Sequence, residues 1–127
     1  MTPLPPLIAV VDDDERLLES LENLLESAGY RAVTFARAAA LIESEVLPDV
    51  DCVVSDISMP GMDGFELRDR LRRLRPDLPL ILMTGRHEVA EQMRVRTPPE
   101  RFFRKPFDGR SLLDTIEQSI RRASPSA

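Results

Sequence analysis

Six residues of this 127-residue chain share one local setting: each stands at or just beyond the end of a strand-like run. Asp12, Asp13 and Asp14 follow "LIAVV", Asp56 closes "DCVVSD", Thr84 closes "LPLILMT" and Lys105 closes "RFFRK". Carboxylates packed together repel and raise one another's pKa unless a cation joins them. Oxygen-only ligands at this density suit a hard divalent ion, Mg2+ in particular. No histidine or cysteine belongs to the cluster, which argues against zinc. A carboxylate beside a divalent metal, an ammonium and a hydroxyl is a phosphoryl-transfer arrangement. The cations offset charge on the equatorial oxygens, and the carboxylate can act as nucleophile. Asp56 is the best nucleophile candidate, because its strand would run between those that carry the others. A carboxylate at the end of a buried strand is costly without such partners.

The elements that must position these residues alternate between two periodicities. The continuous apolar, β-branched run at 7–11 reads as a strand buried on both faces, and 30–36, 51–56, 78–84 and 101–105 read as four further strands. Amphipathic stretches at 15–29, 37–47, 64–75 and 109–122 read as helices. In the first, Leu17, Leu21, Leu24, Leu25 and Ala28 would face inward, with Asp14 as its cap and Gly29 as its stop. In the third, Phe65, Leu67, Leu71 and Leu74 would face inward. In the last, Leu112, Leu113, Ile116 and Ile120 would do so, with Asp108 as the cap. Strand and helix repeated in this way imply a parallel sheet covered by helices on both faces. Ligands then bind outside the carboxyl ends of the strands, and there the six residues would converge.

Length and composition agree with one globular domain. Hydrophobic residues make up 43% of the chain and charged ones 31%, a balance that excludes a disordered chain. A net charge of −5 argues against a general nucleic-acid binder. The single cysteine, Cys52, allows no internal disulfide and reads as core packing. The first apolar run is too short for a signal peptide or a membrane span. The expectation is a cytoplasmic protein with no membrane partner and one domain over 1–127, its core at about 7–122. The tail "RRASPSA" is too short for an output domain.

"VVDDDE", "VVSDISMPGMDGFE", "ILMTG" and "FFRKPF", in this order and spacing, resemble the receiver (CheY-like) domain of two-component response regulators. Each motif alone is weak, but four in order at strand ends are specific. The resemblance runs from about Leu7 to Arg122. It implies a flavodoxin-like, doubly wound α/β fold with a five-stranded parallel sheet in the order 2-1-3-4-5. It also implies roles. Asp56 matches the phosphorylated aspartate. Asp12 and Asp13 match the acidic pair that holds Mg2+, Asp13 directly and Asp12 mainly through water. The Ser58 backbone carbonyl would be a further ligand. Thr84 and Lys105 match the hydroxyl and lysine that meet the phosphoryl group. Thr84 and Phe102 match the switch pair, and Lys105–Pro106 matches a bond that is usually cis in the family. The implied donor is a histidine kinase or histidine phosphotransfer protein. The implied outputs, through the fourth helix, fifth strand and last helix, are an unnamed downstream protein or a homodimer. The chain would not be a dedicated enzyme beyond its own phosphorylation and dephosphorylation.

One segment departs from that pattern. Between Thr84 and Lys105 the family carries a well-formed helix and then small residues; here stands "GRHEVAEQMRVRTPPER". The expected fourth helix is short, from about Glu88 to Val95, and Pro98-Pro99 must end it by about Thr97. Arg86, Arg94, Arg96, Arg101, Arg104 and Lys105 against Glu88, Glu91 and Glu100 give 6 − 3 = +3, in a chain of −5. This points to an altered partner surface more than to lost phosphorylation.

Plainer roles compete at several positions. Asp14 and Asp63 read as helix caps before they read as ligands. His87, the sole histidine, reads as a solvated loop residue, and Phe103 as core. The arginines at 86–104 read as a solvated face. Two other functions fit parts of the pattern. One is a receiver-like interaction module that is never phosphorylated; loss of an acidic residue or of Lys105 would mark it, and none is lost. The other is a haloacid-dehalogenase-like phosphatase with Asp12 as nucleophile, which would need a later acidic pair that is absent here. A flavodoxin would need a phosphate-cradling loop where the chain has three aspartates.

Overall fold

The computed structural model describes residues 4–85, 102–105 and 108–123. The elements are β1 (Leu7–Val11), α1 (Glu15–Ser27), β2 (Arg31–Phe35), α2 (Ala38–Ile42), a 3-10 turn (Leu47–Asp49), β3 (Cys52–Asp56), α3 (Gly64–Leu74), β4 (Leu80–Thr84), β5 (Phe102–Arg104) and the last helix, α4 (Gly109–Ala123). The five strands form one parallel sheet in the order β2-β1-β3-β4-β5. This is the doubly wound α/β architecture that the motif resemblance implied.

Two-sided burial explains the apolar runs of the central strands, while β2 at the sheet edge is half-buried throughout. Every residue of β1 and β3 is buried. Alternate side chains go to opposite faces. Ile8, Val10, Cys52, Val54, Ile81 and Met83 pack with Leu18, Leu21 and Leu25 of α1 and Leu112 and Ile116 of α4. Ala9, Val11 and Val53 pack with Ala38 and Leu41 of α2 and Leu67 and Leu71 of α3. Each fully buried aliphatic side chain contributes about 1.5–3 kcal/mol, so both cores hold the central strands, and with them their ends, in place.

Helix ends follow local chemistry. Asp14 Oδ1 accepts the N–H groups of Arg16 and Leu17. Asp63 Oδ1 accepts that of Glu66, and Asp108 Oδ2 accepts that of Ser111. α1 stops at Gly29, whose φ of +93° suits glycine. All three caps and this stop agree with the sequence expectation.

Several boundaries and faces differ. The second helix, expected over 37–47, ends at Ile42. Ser44 Oγ there accepts the Val46 N–H, and Pro48 has no N–H with which to continue the α-helical ladder. The chain turns instead and buries Leu47. Leu74, expected inward, is 54% exposed at the end of α3. In α1 the buried residues are Leu18, Leu21 and Leu25, while Leu17 and Leu24 are only half-buried and Ala28 is exposed. The expected fourth helix at 88–95, His87, Pro98-Pro99, most of the basic segment, the Lys105–Pro106 bond and the tail 124–127 lie outside the described residues. Among the described residues no helix is long and apolar enough to cross a membrane.

Candidate functional site

The carboxyl ends of β1, β3, β4 and β5 bring five of the sequence candidates to one rim. Val11 stands in register with Ser55, Asp56 with Met83, and Thr84 with Arg104. One residue beyond each strand end or at it lie Asp12, Asp56, Thr84 and Lys105.

Asp12 and Asp56 are buried and Asp13 is exposed. Single carboxylate oxygens of the three lie within 4.8 Å of one another. Lys105 reaches across from the end of β5. Its Nζ lies 2.8 Å from Asp12 Oδ2 and 3.5 Å from Asp56 Oδ1. Asp12 Oδ1 accepts the Asp14 N–H at 2.9 Å, so both Asp12 oxygens are engaged. Asp14 turns its own carboxylate to α1, as a cap and away from ligand duty.

Three carboxylates against one ammonium leave excess negative charge. Burial, and then the charge of Asp12, push the Asp56 carboxyl above the ordinary aspartate value; Lys105 offsets this only in part. Burial alone would lower the Lys105 ammonium, but the hydrogen bond and charge of Asp12, with Asp56 behind them, raise it. Oxygen donors with unbalanced charge at this spacing fit a hard divalent cation. Asp12, Asp13 and Asp56 would hold Mg2+, and the ion would supply the missing positive charge.

The loop after Asp56 is fixed. Ile57 donates its N–H to Met83 O at 2.9 Å and accepts that of Gly64 at 2.9 Å. Ile57 and Met59 are buried, Ser58 is half-exposed between them, and Gly61 takes a φ of +76°. Thr84 is fully buried, and its carbonyl accepts the Lys105 N–H at 2.8 Å. Phe102 is half-buried against Ile57, Leu82, Phe65 and Leu80. Phe103 packs into the other core, beside α1 and α4, as expected.

Two residues of the site are not evident from motif spacing. Ser55 Oγ donates to the Asp56 carbonyl at 2.9 Å. Gly64 has its Cα against the same peptide: a Cβ there would lie 2.8 Å from Ile57 Cα and 2.9 Å from Asp56 O. The available signal was a glycine directly after a helix cap, where a better helix former would otherwise stand.

Comparison with known proteins bears on this arrangement. Residues 8–117 match the response regulator receiver domain. The chain is 38% identical over 123 residues to the transcriptional regulatory protein FixJ of Bradyrhizobium diazoefficiens, across 94% of this chain and 59% of that protein. It is 42% identical over 111 residues to a response regulator receiver protein of Anaeromyxobacter, across 85% of this chain and 43% of that one. The crystal structure of full-length FixJ from B. japonicum superposes with a TM-score of 0.79 at 37% identity, over 97% of this chain and 61% of that one. A signal receiver domain from Pseudomonas fluorescens superposes with a TM-score of 0.81 at 28% identity, over 94% of this chain and 97% of that one. The chain thus spans between a quarter and three fifths of the length of the curated relatives it matches. The motifs fall on the rim of a sheet with the family's strand order, and the match covers most of the sequence, so this chain belongs to the receiver domains of two-component response regulators.

Proposed function

We propose that Asp56 accepts a phosphoryl group from a phosphohistidine in a Mg2+-dependent reaction. The observation that carries this is the position of Asp56: at the end of the central strand, with Asp12 and Asp13 within 4.8 Å and Lys105 Nζ at 3.5 Å. An Asp56 oxygen forms a bond to phosphorus as the phosphorus–nitrogen bond of the donor breaks, and the electron pair returns to the donor imidazole. Asp12, Asp13, Asp56 and the Ser58 carbonyl hold the metal. Lys105 and the Thr84 hydroxyl meet the phosphoryl oxygens. The donor is a histidine kinase or histidine phosphotransfer protein.

Receiver domains are in general not dedicated enzymes, and this one works as a signal acceptor in the cytoplasm. Thr84 and Phe102 carry the change to the surface beside β5 and α4, where a downstream protein or a second copy reads it. The relatives named as transcriptional regulators suggest a regulatory output. The phosphatase alternative asks Asp12 to attack, and it finds no support in a buried carboxylate whose two oxygens are both engaged. The unphosphorylated module would fit a site that lacks an acid or the lysine, and Asp12, Asp13, Asp56 and Lys105 are all present.

The test is incubation with Mg2+ and acetyl phosphate. A mass gain of one phosphoryl group, absent in Asp56→Asn and in chelator, is the expected result. No gain in the wild-type protein, with Mg2+ bound, would leave the interaction module.

A further inference from the structure

We infer that Ser55 and Gly64 are positioning residues that clamp the Asp56–Ile57 peptide from two sides, and that this clamp aims the site at its metal. The inference rests on the reading of Asp12, Asp13 and Asp56 as the metal site, and it adds two residues that touch neither metal nor phosphoryl group.

One side of the clamp is a hydrogen bond. Ser55 is completely buried, and its hydroxyl donates to the Asp56 carbonyl at 2.9 Å. A buried hydroxyl fixed on one acceptor resists rotation of that acceptor's peptide plane. The other side is the absence of a side chain. Gly64 opens α3, and an added Cβ would stand 2.8 Å from Ile57 Cα and 2.9 Å from Asp56 O. Both would-be collisions are with backbone, which cannot swing aside as a flexible side chain could. Gly64 N also donates to Ile57 O at 2.9 Å, and Ile57 N to Met83 O at 2.9 Å.

The peptide that links Asp56 to Ile57 therefore has its carbonyl held by Ser55 and its flank set by α3. The next peptide has its carbonyl held by Gly64. These two peptides set the direction of the Asp56 side chain behind them and of Ser58 ahead of them. Gly64 keeps a φ that other residues can adopt, since among the described residues only Gly29 and Gly61 lie at positive φ. Its requirement is close approach and not backbone freedom.

The test compares Ser55→Ala, Ser55→Thr and Gly64→Ala with the wild-type protein. Amide hydrogen exchange in metal-free buffer reads the clamp itself. In Ser55→Ala and Gly64→Ala the Ile57 and Gly64 amides should exchange about tenfold faster or more, while the amides of β1 and α4 keep their rates. Calorimetric titration with Mg2+ then reads the consequence. Affinity should fall about three- to tenfold in Ser55→Ala, as loss of one hydrogen bond implies. It should fall further in Gly64→Ala, and Ser55→Thr, which keeps the hydroxyl, should stay near wild type. Unchanged exchange at Ile57 and Gly64 would overturn the inference, as would acceleration spread evenly over the sheet. Local acceleration with wild-type Mg2+ affinity would overturn the link from clamp to metal. A wild-type protein that binds no Mg2+ would sink the metal reading, and the exchange data alone would then decide the clamp.

Discussion

Lys105 sits closer to Asp12 than to Asp56, 2.8 Å against 3.5 Å. The ammonium thus leans toward the acid of the metal pair and away from the proposed phosphoacceptor. Asp12 is wholly buried and its second oxygen is taken by the Asp14 N–H. Lys105 acts as a resident counter-ion for a carboxylate that would otherwise be stranded. The raised Lys105 pKa, against a burial effect that works to lower it, expresses the same pairing. A divalent ion at Asp12, Asp13 and Asp56 would meet this positive charge at its doorstep.

The first prediction concerns that competition. Lys105→Met removes a like charge a few ångströms from the metal position, so Mg2+ affinity should rise about tenfold. The same change should destabilise the metal-free protein by about 1–3 kcal/mol, because Asp12 keeps its burial and loses its partner. Mg2+ titration by calorimetry and urea unfolding in chelator check the two halves. Weaker Mg2+ binding in the variant would show that Lys105 supports the metal instead of competing with it.

A second prediction follows from the Asp56 carboxyl. Burial first, and then the charge of Asp12, raise its pKa in the folded state. The folded protein therefore holds this proton more tightly than the unfolded chain. The stability this gives is full below the unfolded aspartate value and is lost as pH rises through the raised folded value. Above that range, ionised Asp56 is a standing cost. Asp56→Asn, which cannot ionise, should therefore melt several degrees higher than wild type in chelator at neutral pH. The difference should shrink as the pH falls toward the ordinary aspartate value. Saturating Mg2+ should also shrink it, by stabilising the wild type more than a variant that lacks one carboxylate ligand. Equal melting curves at neutral pH would contradict the charge repulsion assigned to the site.

Much of this arrangement was legible in the sequence, for a definite reason. In a parallel sheet every strand ends on the same rim, so Asp12, Asp56, Thr84 and Lys105 could be brought together by reading strand ends alone. The two-sided burial of β1 and β3 was legible because continuous β-branched runs have few other uses. What failed were places where a side chain competes with the backbone or where geometry outweighs periodicity. Ser44 and Pro48 cut the second helix short, although "AAALIESEVL" has helical spacing. Leu74 is the last residue of α3, and it stays exposed although the helical spacing would turn it inward. The lean of Lys105 toward Asp12 and the hold of Ser55 on the Asp56 carbonyl are differences of under an ångström or choices of rotamer. No spacing rule encodes either.

Arg75 offers a third prediction, on a contact outside the site. It directly follows α3, and its Nη1 donates to Leu47 O at 2.6 Å and to Val50 O at 3.0 Å. These carbonyls lie at the start of the 3-10 turn and directly after it, on the way into β3, so one guanidinium ties the end of α3 to the approach of the central strand. Arg75→Ala leaves both carbonyls without that donor and should cost about 1–3 kcal/mol of stability. Mg2+ affinity should stay within about twofold of wild type, since the rim lies at the opposite end of β3. Urea unfolding and calorimetry separate these two effects. A large loss of Mg2+ affinity would mean that the turn transmits strain along the strand.

The last prediction separates ligand from cap among the three consecutive aspartates. Mg2+ binding to the folded state alone raises stability by mass action, by about 2.7 kcal/mol at one hundred times the dissociation constant. Asp13 is exposed, and it offers an oxygen within the 4.8 Å cluster. Asp14 spends Oδ1 on the N–H groups of Arg16 and Leu17. Asp13→Asn should therefore leave the metal-free melting temperature close to wild type and remove most of the Mg2+-induced increase. Asp14→Ala should do the reverse. It should lower stability by about 1 kcal/mol with or without metal, as loss of an N-cap does, and keep the Mg2+ increment. Thermal melts of both variants across a Mg2+ series read all four quantities. If Asp14→Ala abolished the Mg2+ increment, the metal would be held one residue further along the chain than the geometry indicates.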